Sequence, residues 1–338
     1  MTAITRVNEA AIVNVEYFSD TTIDAFIASR HSSSNTARTY RNSLRQMLKF
    51  FALKSITEPT TADVDAFIND LRGAKKSDST LRLYMTIAKL FFSFLAKNRV
   101  YRDVAADCEP LKLRKAMTHK KKSLSTEQAK KLLSAVKGDS LTARRDRAII
   151  ALCLQTGLRT CEVSRASVGN FKDAGDYWTL DVIGKGHLQA DATVKVAPVV
   201  AELILSYLNL RGKVADSEPL FVSTSHNVKW TANSYGVRLS EQSIGKMIRR
   251  NMISVGIVKP AEKDAATGKV KRSRSPISPH SCRHFAATTA IKSGVDIREV
   301  GAMLRHTSIV ITSTYLHDLS LETRRAELAV ADALFGAA

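Results

Sequence analysis

The sequence predicts a mainly α protein with a small antiparallel β-sheet, arranged as an N-terminal four-helix bundle followed by an α+β domain. Three observations lead there. Apolar residues recur at helical spacing through most of the chain. Only two neighbouring segments, residues 177–183 and 193–197, alternate as strands do, with Gly184-Lys185-Gly186 between them. The chain's 338 residues also exceed the roughly 250 that a single core accommodates, and a basic, acid-free stretch over residues 111–123 divides them.

Residues 21–29 form a short helix built on Ile23, Phe26 and Ile27. Ser34-Asn35-Thr36 offers N-cap oxygens to a stronger helix, with Tyr40, Leu44, Met47, Leu48 and Phe51 on one face. Arg38, Arg41, Arg45 and Lys49 lie largely off that face. Pro59-Thr60-Thr61 opens a third helix through Val64, Phe67, Ile68 and Leu71, and Ser77 begins a fourth with Leu81, Tyr84, Ile87, Phe91, Phe94 and Leu95. Short connections fold these into a bundle over residues 1–110. The stretch 111–123, which includes Lys120, Lys121 and Lys122, is an interdomain linker that self-repulsion extends and a phosphate backbone would attract.

The second domain, residues 124–320, opens on a capping box of Ser125 and Gln128. The apolar run over residues 148–154 places a helix of residues 145–155 in the core, and Gly157 stops it. Arg159 then starts a short helix, with Glu162 one turn on. The hairpin follows with Lys185 near its tip, then a helix opened by Pro198 and another over residues 240–255 carrying Lys246, Arg249 and Arg250. Residues 260–275, polar and basic, read as a loop. Helices from Pro279 to Lys292, from Asp296 through Leu304, and from Ser308 through Tyr315 precede an amphipathic closing helix within residues 321–338.

Charge narrows the function. Fifty-one Lys and Arg against 32 Asp and Glu leave +19, an excess that calls for a polyanion, nucleic acid first and an anionic membrane surface second. No apolar run approaches the roughly 20 residues of a membrane-spanning helix, and the opening residues do not read as a signal peptide. The four cysteines are scattered without metal-ligand spacing, which argues against zinc and disulfides and fits a reducing cytoplasm. No metal or cofactor is expected.

The chemistry gathers between Pro279 and His317. Two fixed arginines can grip the non-bridging oxygens of a phosphodiester and stabilise a pentacoordinate transition state, and Arg159 and Arg283 both start helices in apolar contexts. His280, three residues before Arg283, can take or give a proton, and His306 can add a hydrogen bond to the phosphate. Tyr315 is the candidate nucleophile, since a cationic pocket favours the phenolate, and Lys185 can protonate a departing sugar oxygen. Each part alone has a plainer explanation: a helical tyrosine usually packs, a His beside an Arg is usually a surface pair, and Gly-Lys-Gly is often only a turn. A row of arginines is likewise usually a solvated face. His284 and His317 are read as structural.

Together these residues resemble the tyrosine recombinase (phage integrase) family over nearly the whole chain. The family's first arginine motif matches Thr156-Gly157-Leu158-Arg159-Thr160-Cys161-Glu162, its hairpin lysine Gly184-Lys185-Gly186, and its His-x-x-Arg box His280-Ser281-Cys282-Arg283-His284. Its final motif matches Leu304-Arg305-His306-Thr307-Ser308 and Tyr315, with the family's nine-residue step from histidine to tyrosine. The opening of the second helix resembles the family's core-binding domain. The resemblance implies a metal- and ATP-independent site-specific recombinase of the simple two-domain Xer/Cre-like type. It implies a clamp around duplex DNA bearing an inverted-repeat core site, attack by Tyr315 to give a 3′-phosphotyrosyl link, and exchange through a Holliday junction. It also implies that Glu162 orients the surroundings of Arg159 and that the closing helix packs on a neighbour in a homotetramer, with room for an accessory protein. The setting would be cytoplasmic, on the nucleoid. One departure stands out: Arg305 occupies the place of the usual glycine, free either to reach a phosphate or to point outward. Two other readings share the charge: a type IB topoisomerase-like relaxer and a catalytically silent architectural DNA-binding protein.

Overall fold

The computed structural model describes residues 17–30, 33–109, 111, 122–184, 189–224, 236–263, 270–271, 275–306, 308–313 and 315. It divides into two compact units, Met1–Lys115 and Ala116–Ala338. The structure is mostly helical with a small antiparallel sheet, as the apolar periodicities predict.

In the first unit α1 (Asp20–Ala28), α2 (Ser34–Leu53), α3 (Thr61–Gly73) and α4 (Asp78–Lys97) pack on one another. Hydroxyl side chains start them: Ser19, Ser33 and Ser77 accept from the backbone N–H three residues on, and Thr60 forms a capping box with Asp63. The cap of α2 is therefore Ser33, one residue ahead of the expected Ser34. Inside, Phe26 meets Phe91 edge-on at 5.6 Å, and Phe67, Phe91, Phe92 and Leu95 are almost fully buried. Each such side chain contributes about 2 kcal/mol, so the aromatic stripes hold the bundle together.

The second unit is built around α6 (Leu141–Thr156), which follows α5 (Thr126–Ser134) and is packed by it on one side. Ile149, Ile150 and Leu152 are fully buried in α6. The helix begins at the Ser140 cap, earlier than expected, because its first turn carries the polar residues Thr142, Arg144 and Arg145 and shows no apolar period. A buried ion pair of Arg145 with Asp146, at 2.6 Å, closes that turn. Next come α7 (Thr160–Arg165) and the strands β1 (Phe171–Asp173), β2 (Trp178–Val182) and β3 (Ala192–Val196). They form an antiparallel sheet in the order β1-β2-β3, with Leu180 opposite both Phe171 and Val194. Three residues are too few to show alternation, which is why β1 is not legible in the sequence.

Two helices, α8 (Pro198–Arg211) and α9 (Glu241–Ser254), then pack on α6. The stretch read as a loop over residues 260–275 instead contains a short antiparallel pair, β4 (Glu262–Lys263) with β5 (Val270–Lys271). Two-residue strands of mostly charged residues carry no hydrophobic signature. The chain continues into α10 (Ser281–Lys292), α11 (Ile297–Leu304) and α12 (Ile309–Ser313), with α10 lying on α6. α12 is described over Ile309–Ser313, and Tyr315 lies two residues beyond it. No described helix is long and apolar enough to cross a membrane.

One backbone position decides how the parts meet. Gly157 ends α6 in the left-handed region, at φ 64° and ψ 19°. A Cβ there would stand 2.7 Å from Leu304 Cδ2 and 3.3 Å from Ala286 Cβ. Gly157→Ala is accordingly expected to lower stability by about 1–3 kcal/mol, read as a drop in melting temperature.

Candidate active site

The site forms where the end of α6, the start of α7, the start of α10 and the turn after α11 come together. Arg159 is the N-cap residue of α7, and its backbone N–H donates to Glu162 Oε2 at 2.7 Å. Its Nη1 donates to Glu162 Oε1 at 2.8 Å, so the carboxylate sets both the backbone and the fork of this arginine. About a third of the Arg159 side chain remains accessible, whereas Glu162 is fully buried.

Arg283 sits in the first turn of α10 and is itself buried. Its Nη1 donates to the Gly157 carbonyl at 2.7 Å and its Nη2 to the Leu304 carbonyl. The guanidinium thereby joins the two chain turns that carry Arg159 and His306. Burial, and then the like charge of Arg159, push its pKa down to about 10, so it stays a cation at neutral pH.

Arg305 does not point outward. Its Nη2 donates to Glu162 Oε2 at 2.7 Å and its Nη1 to the Met303 carbonyl at 2.8 Å. Burial pushes the Glu162 carboxyl up, but Arg305 and Arg159 outweigh it and hold the pKa below the ordinary value. The stability this ion pairing contributes is present above the ordinary carboxylate pKa and is lost as pH falls through the lower folded value.

His280 is exposed at the start of α10, and with Arg159, Cys161, Gly245 and Pro279 it lines a cleft of about 380 Å³. A row of rings leads away from it. His280 meets His284 edge-on at 5.1 Å, His284 meets Tyr315 at 5.1 Å, and Tyr315 lies parallel to His306 at 6.0 Å. Tyr315 is only 2% exposed and packs with Ala287, Val300 and Leu304. His306 Nδ1 is hydrogen-bonded to Thr312 Oγ1 at 2.8 Å, and Thr312 is fully buried beside Gly301.

His284, read as structural, is a buried ring packed between those of His280 and Tyr315. Thr312 escaped the sequence reading, since a threonine on a short helix is unremarkable until the fold turns it towards His306. Thr312→Val keeps the shape and removes the hydrogen bond that sets the imidazole. It is expected to cost about 1–3 kcal/mol, read as a drop in melting temperature.

Lys185 lies outside the described residues, as do Lys120, Lys121 and the helix expected within residues 321–338. The neck of the Lys185 hairpin is described: Gly184 N–H donates to Asp191 Oδ1 at 2.5 Å, and Arg165 Nη1 donates to the Gly184 carbonyl at 2.7 Å. The hairpin is thus tied to the end of α7, the helix that Arg159 caps. Lys122 is exposed, and its backbone N–H donates to the Pro276 carbonyl at 3.0 Å. Arg249 is half-buried on α9, between exposed Lys246 and Arg250. In the first unit Arg38 donates to Asn35 Oδ1 at 2.6 Å, while Arg41 and Arg45 pair with Asp24 and Asp20 of α1 at 2.5 and 2.7 Å. Solvent screens such exposed pairs and leaves them weak, so a phosphate can compete for these arginines. Among the described residues no cluster of His, Cys, Asp and Glu is arranged to hold a metal ion. Burial pushes the Cys153 thiol up to about 12 and Cys282 well above its ordinary value, so both act as small apolar fillers.

A helical unit followed by an α+β unit, with arginine, histidine and tyrosine gathered in the latter, defines the tyrosine recombinase class. Residues 122–322 match the model of the phage integrase family, and residues 23–99 match that of the phage integrase N-terminal SAM-like domain. The chain belongs to the phage integrase family, whose members here are enzymes of site-specific recombination. It is 25% identical over 296 residues to tyrosine recombinase XerD of Halalkalibacterium halodurans, covering 85% of this chain and 88% of that one. It is 28% identical over 300 residues to XerD of Corynebacterium glutamicum, covering 85% and 89%. Among solved structures, XerH recombinase bound to palindromic difH substrate superimposes with a TM-score of 0.66 at 18% identity, covering 93% of this chain and 84% of that one. The Tn1549 transposon integrase in complex with a circular intermediate DNA gives 0.63 at 15% identity, covering 92% and 98%. These two likenesses establish the fold.

Proposed function

We propose that the chain cuts and rejoins DNA at specific sites through a covalent tyrosyl intermediate, with Arg159, Lys185, His280, Arg283, His306 and Tyr315 as catalytic groups and Glu162 supporting them. The observation that carries this reading is the convergence of Arg159, Arg283 and the turn before His306 on one buried carboxylate and the carbonyls of Gly157 and Leu304. Residues far apart in sequence are held there in one cationic site, which suits a phosphodiester gaining charge in its transition state.

In the proposed reaction Tyr315 Oη attacks phosphorus and the P–O5′ bond breaks. The 3′-phosphate becomes esterified to the tyrosine. The phenol proton passes to His280, and Lys185 protonates the leaving 5′-oxygen. Attack by a 5′-hydroxyl from a second duplex reverses the steps and joins the new strand, so the bond energy is conserved without ATP. Two rounds pass through a Holliday junction. The partner is double-stranded DNA with inverted half-sites, held by a homotetramer that the closing helix links, with an accessory protein where the pathway needs one. The work is done in the cytoplasm, on the nucleoid. Two compact units, Met1–Lys115 and Ala116–Ala338, agree with a core-binding domain, a linker near residues 111–123 and a catalytic domain.

The test begins by selecting bound duplexes from a randomised library with the purified chain, looking for inverted repeats of roughly ten base pairs a side, one helical turn each. A nicked version of the selected duplex then traps any covalent adduct, and mass spectrometry maps the modified peptide. An adduct on the peptide containing Tyr315 supports recombination. Specific binding with no adduct favours an architectural protein, and relaxation of supercoiled plasmid without joining of two duplexes favours a topoisomerase-like relaxer.

A further inference from the structure

Arg305 occupies a backbone conformation that an L-residue adopts at a cost. It follows α11 in the left-handed region, at φ 55° and ψ 50°. In the second unit every other described residue with positive φ is a glycine: Gly138, Gly157, Gly175, Gly212, Gly236, Gly256 and Gly294. An L-residue there gives up about 1 kcal/mol relative to glycine. The other three non-glycine residues with positive φ, Ser55, Lys75 and Arg99, are exposed at helix ends of the first unit. The Arg305 side chain is only 11% exposed.

What the side chain does there offsets the strain. Its fork lies on Glu162, with Nη2 at 2.7 Å from Oε2 and Nε at 3.4 Å from Oε1, while Nη1 caps the Met303 carbonyl. The opposite side of the same carboxylate carries the backbone and guanidinium of Arg159. Glu162 is therefore a bridge between the arginine at the start of α7 and the turn that leads directly into His306. The His306 N–H is fixed in that turn by the Gly301 carbonyl at 3.0 Å. Arg305 also alters the charge of the site. Paired with Arg159 alone, Glu162 would cancel the cation meant for the phosphate. With Arg305 on the carboxylate as well, and Arg283 on the neighbouring Gly157 and Leu304 carbonyls, three guanidiniums outweigh one carboxylate by two positive charges.

We infer that Arg305 is a positioning residue, clamping the His306 turn to the Glu162–Arg159 pair so that both phosphate-binding groups hold one geometry and Arg159 keeps its charge for the substrate. The inference rests on the proposed function and names how that site is held.

Glycine is the informative substitution, because it removes the clamp and relieves the backbone at once. Arg305→Gly is expected to lower the melting temperature by a few degrees, the relieved backbone offsetting only part of the lost ion pair, and to bind the selected duplex with unchanged affinity. Its single-turnover cleavage of the nicked duplex should fall about 100-fold, the scale set by misplacing a catalytic group. Arg305→Lys, which retains a charge for Glu162, should recover part of that loss despite the left-handed strain. Arg305→Gly cleaving at the wild-type rate would overturn the inference. So would a loss of cleavage in Arg305→Gly no larger than its loss of folded protein at the assay temperature, or an Arg305→Lys variant no better than Arg305→Gly, since either outcome leaves the residue a structural staple. Wild-type chain that forms no adduct refutes the proposed function and takes this inference with it. A wild-type adduct with an unimpaired Arg305→Gly sinks the inference alone.

Discussion

Replacing Tyr315 with phenylalanine is expected to abolish the covalent protein–DNA adduct of the proposed reaction and to leave duplex binding intact. The substitution deletes one oxygen and keeps the ring, which packs with Ala287, Val300 and Leu304 and lies against His284 and His306. A shape-conserving change of this kind costs less than about 1.5 kcal/mol, so the folded protein remains and the loss is chemical. A denaturing gel of the nicked duplex reads the adduct, and a native mobility shift reads the binding. Persistence of the adduct in the Tyr315→Phe variant would move the nucleophile elsewhere. Tyr207 is a poor alternative, because it packs in the main core of the second unit, stacked on Phe221 at 5.7 Å, with its hydroxyl accepting the Val222 N–H at 3.3 Å.

The second large effect is at Arg283, where stability and catalysis fall together for different reasons. Arg283→Ala leaves a cavity and strips the donors from the Gly157 and Leu304 carbonyls, at a cost of about 3–5 kcal/mol. Arg283→Lys refills most of the space, but a single ammonium cannot reproduce a fork that spans two carbonyls. It is expected to lose about 1–3 kcal/mol from the carbonyl left unpaired. Cleavage should fall about 100- to 1000-fold, the cost of one preorganised donor in a charge-stabilising site. Thermal melting and single-turnover cleavage, measured on the same preparation, separate the two losses. A lysine variant that matches wild type in both would show the fork to be dispensable.

How much of this was legible in the sequence follows from the range of each interaction. The helices were, because their apolar period and hydroxyl caps are local: Ser125 with Gln128, Ser77 with Thr80 and the stop at Gly157 all act within a few residues. The identities of the phosphate-binding candidates were also legible, since Arg159 and His280 to Arg283 stand in short motifs. Their mutual arrangement was not. That Arg283 reaches back to the Gly157 carbonyl, or that Arg305 turns in to Glu162, depends on where α10 and α11 settle against α6. Likewise β1, β4 and β5 exist through pairing with a partner strand and carry no periodicity of their own. The arginine row of α2 shows the limit from the other side: its spacing was plain, but the aspartates of α1 that it meets became visible only in the fold.

The burial of Tyr315 has a kinetic consequence. In the proposed reaction a phenol that is 2% exposed must be uncovered before its oxygen reaches a phosphodiester. Uncovering it exposes an apolar side chain and its cluster, at about 2 kcal/mol. A penalty of that size idles the nucleophile by roughly 30-fold. The packing of Tyr315 on Ala287, Val300 and Leu304 is in that sense a safety catch on the nucleophile of the proposed reaction.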